Sequence, residues 1–218
     1  MLTVKTFPLS PIDENCYVIS DSTREAVIID CGCFYDDEWA TIHSYIQDNQ
    51  LTVRHLLNTH AHFDHIFGEG YVHSALHLTP EGSILDQQLY LGFDQQLVSI
   101  LGLQPSDLRP RYPLPPFHTF LRQADTVSFG NHQLTVIETP GHTPGGLCFY
   151  CKDENVLFTG DTLFRLSIGR TDFPGGSHSQ IIQSITAKLL TLPSQTIVYP
   201  GHGPSTTIGY EAQNNPNI

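Results

Sequence analysis

Four side chains able to bind a metal fall within six positions, His60, His62, Asp64 and His65, in the run Thr-His-Ala-His-Phe-Asp-His. The run directly follows an apolar stretch at residues 55–58, where a predicted strand ends in a loop. Imidazole nitrogens and carboxylate oxygens suit zinc, iron or manganese. The absence of a cysteine from the run speaks against a closed, thiolate-rich structural zinc site, so open coordination positions are expected. Three more candidates stand at predicted strand ends among small residues: His142 in Pro-Gly-His-Thr-Pro-Gly-Gly, Asp161 in Thr-Gly-Asp-Thr, and His202 in Pro-Gly-His-Gly-Pro. Glycines there let the backbone turn sharply beside an ion. Any one of these residues alone reads equally well as a polar turn residue or a hydrogen-bonded core histidine.

Strands and helices must carry these residues to one place. Residues 2–9, 16–19, 26–29 and 53–57 read as strands, with a helix at 36–49 in which Trp39, Ile42, Tyr45 and Ile46 recur at three- and four-residue spacing. A helix is expected from Asp64 to about Leu76, and a second helical pattern at 83–103. Residues 103–120 hold Pro105, Pro110, Pro113, Pro115 and Pro116, which predicts an irregular surface connection. Strand signals return at 126–129, 133–138, 146–150 and 156–159. A helix at about 177–192 and a strand at 196–199 follow, and a polar stretch at 211–218 reads as a loosely tethered tail. Strands followed by helix, twice over, predict an α+β fold of one domain spanning 1–218: a four-layer αββα sandwich of two mixed sheets flanked by helices.

Taken together, the motifs HxHxDH, PGHTPGG, GDTLF and PGHGP resemble those of the metallo-β-lactamase superfamily, in the same order and over nearly the whole chain. The resemblance implies that His60, His62 and His142 bind one metal and Asp64, His65 and His202 a second. Asp161 would bridge them, and Asp64 and Asp161 would be the carboxylates at the reacting centre. Two divalent ions about 3.5–4 Å apart can share a carboxylate and lower the pKa of bound water to about 7, giving a hydroxide nucleophile at neutral pH. Zinc is placed first, with iron or manganese as alternatives. His43, His55, His73, His77, His118, His132 and His178 match no motif and are read as non-ligands. Asp30 resembles the family's early-strand carboxylate that orients a ligand, and reads equally as a turn residue. Cys31, Cys33, Cys148 and Cys151 read as buried thiols.

The run from Gly160 to Gly176, with the segment from Tyr199 to Glu211, is similar to short bacterial glyoxalase II-like hydrolases. That implies hydrolysis of a thioester such as a hydroxyacyl-glutathione by a metal-bound hydroxide. Arg170 falls near a position where longer glyoxalase II enzymes place a basic residue for the glutathione carboxylate; a structural salt bridge is the other reading. The chain departs from those enzymes in having no helical domain after His202, no tyrosine beside that ligand, and Glu211-Ala212 where Glu-Arg is usual. A mononuclear-iron persulfide dioxygenase of the same superfamily is the alternative, with His60, His142 and Asp161 on the iron. Tyr90, Phe93, Tyr112 and Phe117 would line a substrate-covering element or belong to the core.

Ten basic against 22 acidic residues give a formal charge of −12, which repels phosphate backbones and anionic lipid and argues against a nucleic-acid partner. A small-molecule thioester is the expected partner, and the sequence leaves the oligomeric state open. No apolar run is long enough for a membrane span, and the first residues lack the apolar stretch of a secretory signal. With five cysteines, an odd number, the expected compartment is the cytoplasm.

Overall fold

The fold was derived from a computed structural model that describes residues 1–9, 11–104, 106, 108, 110–117 and 119–218. Pro105 and His118, assigned above to the irregular connection and to the non-ligands, lie outside the described residues. One sheet has six strands in chain order: β1 (Thr3–Leu9), β2 (Glu14–Ser20), β3 (Glu25–Ile29), β4 (Thr52–Leu57), β5 (Pro80–Gly82) and β6 (Thr119–Phe120). Pairing is antiparallel from β1 to β3 and parallel from β3 to β6. Five helices lie along this half: α1 (Asp36–Asp48), α2 (Phe63–Ile66), α3 (Glu69–Leu76), α4 (Gln87–Leu91) and α5 (Phe93–Gln96).

The second half holds β7 (Thr126–Phe129), β8 (His132–Glu138), β9 (Leu147–Cys151), β10 (Val156–Gly160), β11 (Leu163–Phe164), β12 (Ser167–Ile168), β13 (Ile197–Pro200) and β14 (Thr206–Thr207), with helices α6 (His178–Ser184) and α7 (Ile208–Asn214). Its six-stranded sheet has the order β14-β13-β10-β9-β8-β7, and β11 and β12 form a separate hairpin.

Strand alternation explains the layering. In β2, Tyr17 and Ile19 face the partner sheet while Cys16 and Val18 face the helices; in β9, Leu147, Phe149 and Cys151 face inward and Cys148 and Tyr150 outward. Both faces of each sheet are therefore covered. Val27, Ile29, Val136, Phe149 and Phe158 fill the space between the sheets. Trp39, Ile42 and Ile46 of α1 seal the outer face of the first sheet, and Ile181 of α6 with Ile208 of α7 seals that of the second. Each such residue contributes about 1.5–3 kcal/mol on burial. The expected αββα sandwich is the fold observed. All five cysteines are buried free thiols, and Cys148 and Cys151 point into different layers.

Three expectations need correction. The pattern at 83–103 is not one helix but a 3-10 turn at Ile84–Asp86, then α4, α5 and a π-helical turn at Leu97–Leu101. Gly92 interrupts it, and Ile84, Leu85 and Leu91 are exposed rather than forming a core stripe. The helix expected from Asp64 breaks at Phe67–Gly68, where a Cβ on Gly68 would stand 2.7 Å from the Cys33 backbone nitrogen. The tail is not loose: α7 buries Glu211, whose carboxylate accepts from Thr206 Oγ1, Leu166 N and Asn215 Nδ2 at 2.5, 2.9 and 2.8 Å. The tail is thereby pinned to the turn of the β11–β12 hairpin.

Tyr90, Phe93 and Phe117 are core residues beneath the connection, packed with Ala61, Phe63 and Phe67, whereas Tyr112 is exposed. Buried Glu69 lies 2.7 Å from Tyr90 Oη, which is also 2.9 Å from the Pro115 carbonyl. Tyr90 Oη and Asn58 Nδ2 both donate to the Glu69 carboxyl, and burial still pushes its pKa up to about 8.

Candidate metal centre

The strands β3, β4, β8, β10 and β13 run so that their C-terminal ends meet at one rim of the sandwich. The loops leaving β4, β8, β10 and β13 carry His60 and His62, His142, Asp161 and His202 respectively, and α2, directly after the first loop, carries Asp64 and His65. The chain turns tightly there. Gly141 has φ +145°, and a Cβ on it would strike the backbone of Ile181; one on Gly201 would lie 2.2 Å from Asp161 Oδ1.

All seven residues expected to ligate metal converge. The ring centroids of His60, His62 and His142 lie 4.5–4.8 Å apart, and donor atoms of the three form one compact group. Asp64, His65 and His202 form a second, with Asp64 Oδ2 at 3.2 Å from His202 Nε2 and 3.6 Å from His65 Nε2. Asp161 stands between: Oδ1 is 3.4 Å from His65 Nε2, and Oδ2 is 3.5 Å from His142 Nε2 and 3.7 Å from His202 Nε2.

Bonds at the rear of the rings aim the front nitrogens inward. His65 Nδ1 donates to Asp30 Oδ2 at 2.9 Å, His142 Nδ1 to the Arg170 carbonyl at 2.7 Å, and His202 Nδ1 to the Ile12 carbonyl at 3.1 Å. His60 Nδ1 lies 3.1 Å from Thr59 Oγ1, which itself donates to Asp30 Oδ2 at 2.7 Å. Asp30 therefore orients one histidine of each group, and at φ +51° it is also a turn residue, so both of its readings hold.

Among the front atoms, His142 Nε2 lies 2.8 Å from His62 Nδ1 and His202 Nε2 3.2 Å from Asp64 Oδ2, but three have no hydrogen-bond partner. His60 Nε2, His65 Nε2 and Asp161 Oδ1 are buried without an aligned hydrogen bond. Buried polar atoms are ordinarily paired; three unpaired ones converging on one space, backed by oriented rings, fit divalent cations. Burial and the neighbouring histidines push His60 far below its ordinary range and His62 down to about 3. In the other group, burial is outweighed. Asp161, Asp64 and Asp30 hold His65 well above the usual histidine range, while His65 leads in lowering Asp64 and Asp161.

Sequence reasoning missed several supports. Asn15 Nδ2 donates to the Pro200 and Gly203 carbonyls at 3.0 and 2.9 Å, and Tyr17 Oη to that of Pro200 at 2.6 Å, gripping the His202 loop from β2. Buried Asp86 and Gln96 grip the His60–Asp64 loop. Glu14 is buried with neither carboxylate oxygen paired, its Oε1 3.9 Å from His65 Nδ1, and burial raises its pKa. No local pattern marks these supports: Glu14 and Asn15 continue the polar stretch begun by Asp13, ahead of Cys-Tyr-Val-Ile.

Arg170 is half-exposed, and its Nε and Nη2 donate to Asp172 at 2.7 and 2.6 Å. Its guanidinium lies 3.9 Å from the centre of the Phe173 ring, whose centroid is 5.4 Å from that of His62. The arginine thus lines the mouth, with its two-pronged edge on Asp172. Among the described residues, none of the histidines read as non-ligands joins a group of this kind. His55 lies 2.7 Å from Glu81, and His132 bridges Asp21 and Glu154 at 3.0 and 2.9 Å.

The family model of the metallo-beta-lactamase superfamily matches residues 9–202. Hydroxyacylglutathione hydrolase GloC of Haemophilus influenzae is 32% identical over 99% of this chain and 97% of its own. Among solved structures, BLEG-1 B3 metallo-beta-lactamase superposes with a TM-score of 0.86 at 38% identity, covering 98% of each chain. TTHA1623, in a di-iron-bound form, gives 0.83 at 35% over 99% of this chain and 100% of that one. ETHE1 from Myxococcus xanthus gives 0.78 at 29%, over 98% and 83%. With the rim-borne histidines and aspartates already in the family's order, these matches make the chain a member of the metallo-β-lactamase superfamily.

Proposed function

We propose that this chain is a binuclear metallohydrolase acting on a thioester of the hydroxyacylglutathione type, with zinc as the first choice of metal. The observation that carries the reading is Asp161, which stands between the two donor groups: its Oδ2 lies near His142 of the first and His202 of the second, and its Oδ1 near His65 of the second. A carboxylate so placed suits two ions held by His60, His62 and His142 and by Asp64, His65 and His202. Divalent ions there supply Lewis acidity and an acidified water.

The protein's own part is orientation and access. Asp30, the Arg170 carbonyl and the Ile12 carbonyl fix the imidazole planes. His202, the most open of the ligands at 26% side-chain exposure, marks the side from which substrate arrives. Phe173 beside His62 and Phe164 beside His202 give the two ends an apolar wall. A thiolate leaves more readily than an amide nitrogen, so the reaction does not require a dedicated general acid. Because Asp172 holds its paired edge, Arg170 is a substrate contact only for an anion that competes with that aspartate.

The superposition with ETHE1 favours a second reading, a mononuclear-iron persulfide dioxygenase using His60, His142 and Asp161. Against it stands the assembled second group around His202. Metal content per chain, measured beside S-lactoylglutathione hydrolysis and oxygen uptake on glutathione persulfide, separates the two. Two metals with thioester turnover support the hydrolase. One iron with oxygen uptake and no hydrolysis replaces it with the dioxygenase.

A further inference from the structure

The segment from Ser83 to Leu101 supplies no ligand, yet two of its polar side chains are buried against the ligand loops. Asp86 is 1% exposed. Its Oδ2 accepts from the Ala61 N–H at 3.1 Å and from Thr143 Oγ1 at 2.8 Å, and its Oδ1 from the Gly145 N–H at 2.7 Å. Ala61 sits between His60 and His62, and Thr143 directly follows His142. The three bonds therefore land on the two loops that bear the three-histidine group. Gln96, also buried, accepts from the Phe63 N–H at 3.0 Å and donates to the Ala61 and Leu89 carbonyls at 2.9 Å each. Ala61 is thus held by its N–H from Asp86 and by its carbonyl from Gln96.

The other group has a different frame. Asn15, Tyr17 and the Ile12 carbonyl hold the His202 loop, and Asp30 holds His65. No hydrogen bond of Asp86 or Gln96 reaches His65 or the His202 loop, and the one that comes near this group is from the Phe63 N–H, beside Asp64, to Gln96.

We propose that Asp86, seconded by Gln96, is a positioning residue that sets the three-histidine half of the metal centre, so that, although Asp30 serves both halves, this half can be weakened ahead of the other. This rests on reading the site as binuclear. A buried carboxylate with three donors fixes the separation of two loops far apart in sequence, and three imidazoles can share one ion only if that separation is held. The same device ties the connection at 83–103 to the centre it adjoins.

The test isolates each half by deleting the other. With His202→Ala, the remaining strong site is the three-histidine one; with His142→Ala, it is the half around Asp64 and His65. Cobalt(II) affinity by equilibrium dialysis and the visible spectrum of the bound ion are measured in both backgrounds, with Asp86→Asn and Gln96→Met added singly. In the His202→Ala background each addition is expected to weaken cobalt binding about 10–100-fold and to alter the spectrum. In the His142→Ala background Asp86→Asn is expected to leave the affinity within about twofold, and Gln96→Met, which loses the bond to Phe63 beside Asp64, to cost less than in the first background. Asp86→Asn can keep its oxygen on Ala61 and Thr143 and should retain more affinity than Asp86→Ala, a rescue that general loosening of the fold would not give. Gln96→Met, which preserves volume, keeps the test open if Asp86→Ala does not fold. Equal losses in both backgrounds, with a lowered metal-free melting temperature, overturn the proposal and leave the binuclear reading standing. A wild-type chain that takes up no cobalt removes both.

Discussion

The two donor groups differ in the charge they carry without metal. Around His60 and His62, burial and mutual repulsion keep the imidazoles neutral, ready to accept a cation. Around Asp64, His65 and His202, carboxylates and imidazoles form an ion-paired cluster in which the histidines hold protons above their ordinary range and the carboxylates lose theirs below it. One half holds neutral imidazoles, with His62 Nδ1 2.8 Å from His142 Nε2; the other holds carboxylate–imidazole pairs that favour the charged histidine. The same residue types thus give two chemistries, decided by how many carboxylates lie within reach.

The largest expected effect comes from removing the group that joins the halves. Asp161→Ala takes away the carboxylate facing both, so turnover should fall by more than the 10²–10³-fold typical of losing a single transition-state contact. Metal content should fall as well. The fold should persist, since the apolar layers between and outside the sheets do not depend on the site. Thioester assay, metal analysis and circular dichroism on one preparation check this. Full activity with metal lost would sink the mechanism.

The contrast itself is sharpened by pH. A histidine whose pKa is raised in the metal-free chain must release its proton on binding metal, so affinity at the Asp64/His65/His202 half should rise with pH from about the ordinary histidine value of 6.5 upward, and level off once the raised pKa values are passed. The gain is up to about tenfold per pH unit for each proton displaced. His60 and His62 lie below that range already, so they should add no such slope above pH 6.5. Cobalt titrations in His142→Ala and His202→Ala chains, run at several pH values, read the two slopes separately; equal slopes would erase the distinction.

How much of this was legible differs by region for physical reasons. The seven candidate ligands announce themselves because four crowd into one six-residue run after a strand and the other three sit at strand ends among glycines, and a metal requires several such donors at once. The strands at 126–129 and 156–159 were legible because turn residues bound compact apolar runs. Residues 83–103 misled because Ile84, Leu85 and Leu91 have helical spacing yet face solvent, while the residues that matter there, Asp86 and Gln96, are polar and bond to backbone far along the chain. Asn15 was silent for the same reason, its partners lying 185 and 188 residues away. A polar tail looked untethered because composition cannot show that Glu211 is buried among three donors.

The smallest effect tests the mouth on the three-histidine side, where Phe173 packs beside His62 and beneath Arg170. Asp172 is exposed, and the Arg170 guanidinium lowers it to about 2, so the pair is ionised at neutral pH. An exposed pair adds little stability, because water screens it and two side chains lose freedom to form it. Asp172→Asn should therefore release the arginine edge at little cost to stability. If a substrate carboxylate then uses that edge, KM for S-lactoylglutathione should fall up to about fivefold with kcat nearly unchanged, and added salt should reduce the gain. A neutral thioester of the same acyl group should show no such gain. An unchanged KM for the anionic substrate would leave Arg170 as a wall residue held by Asp172 and Phe173, and would place recognition of the thiol carrier elsewhere on the rim.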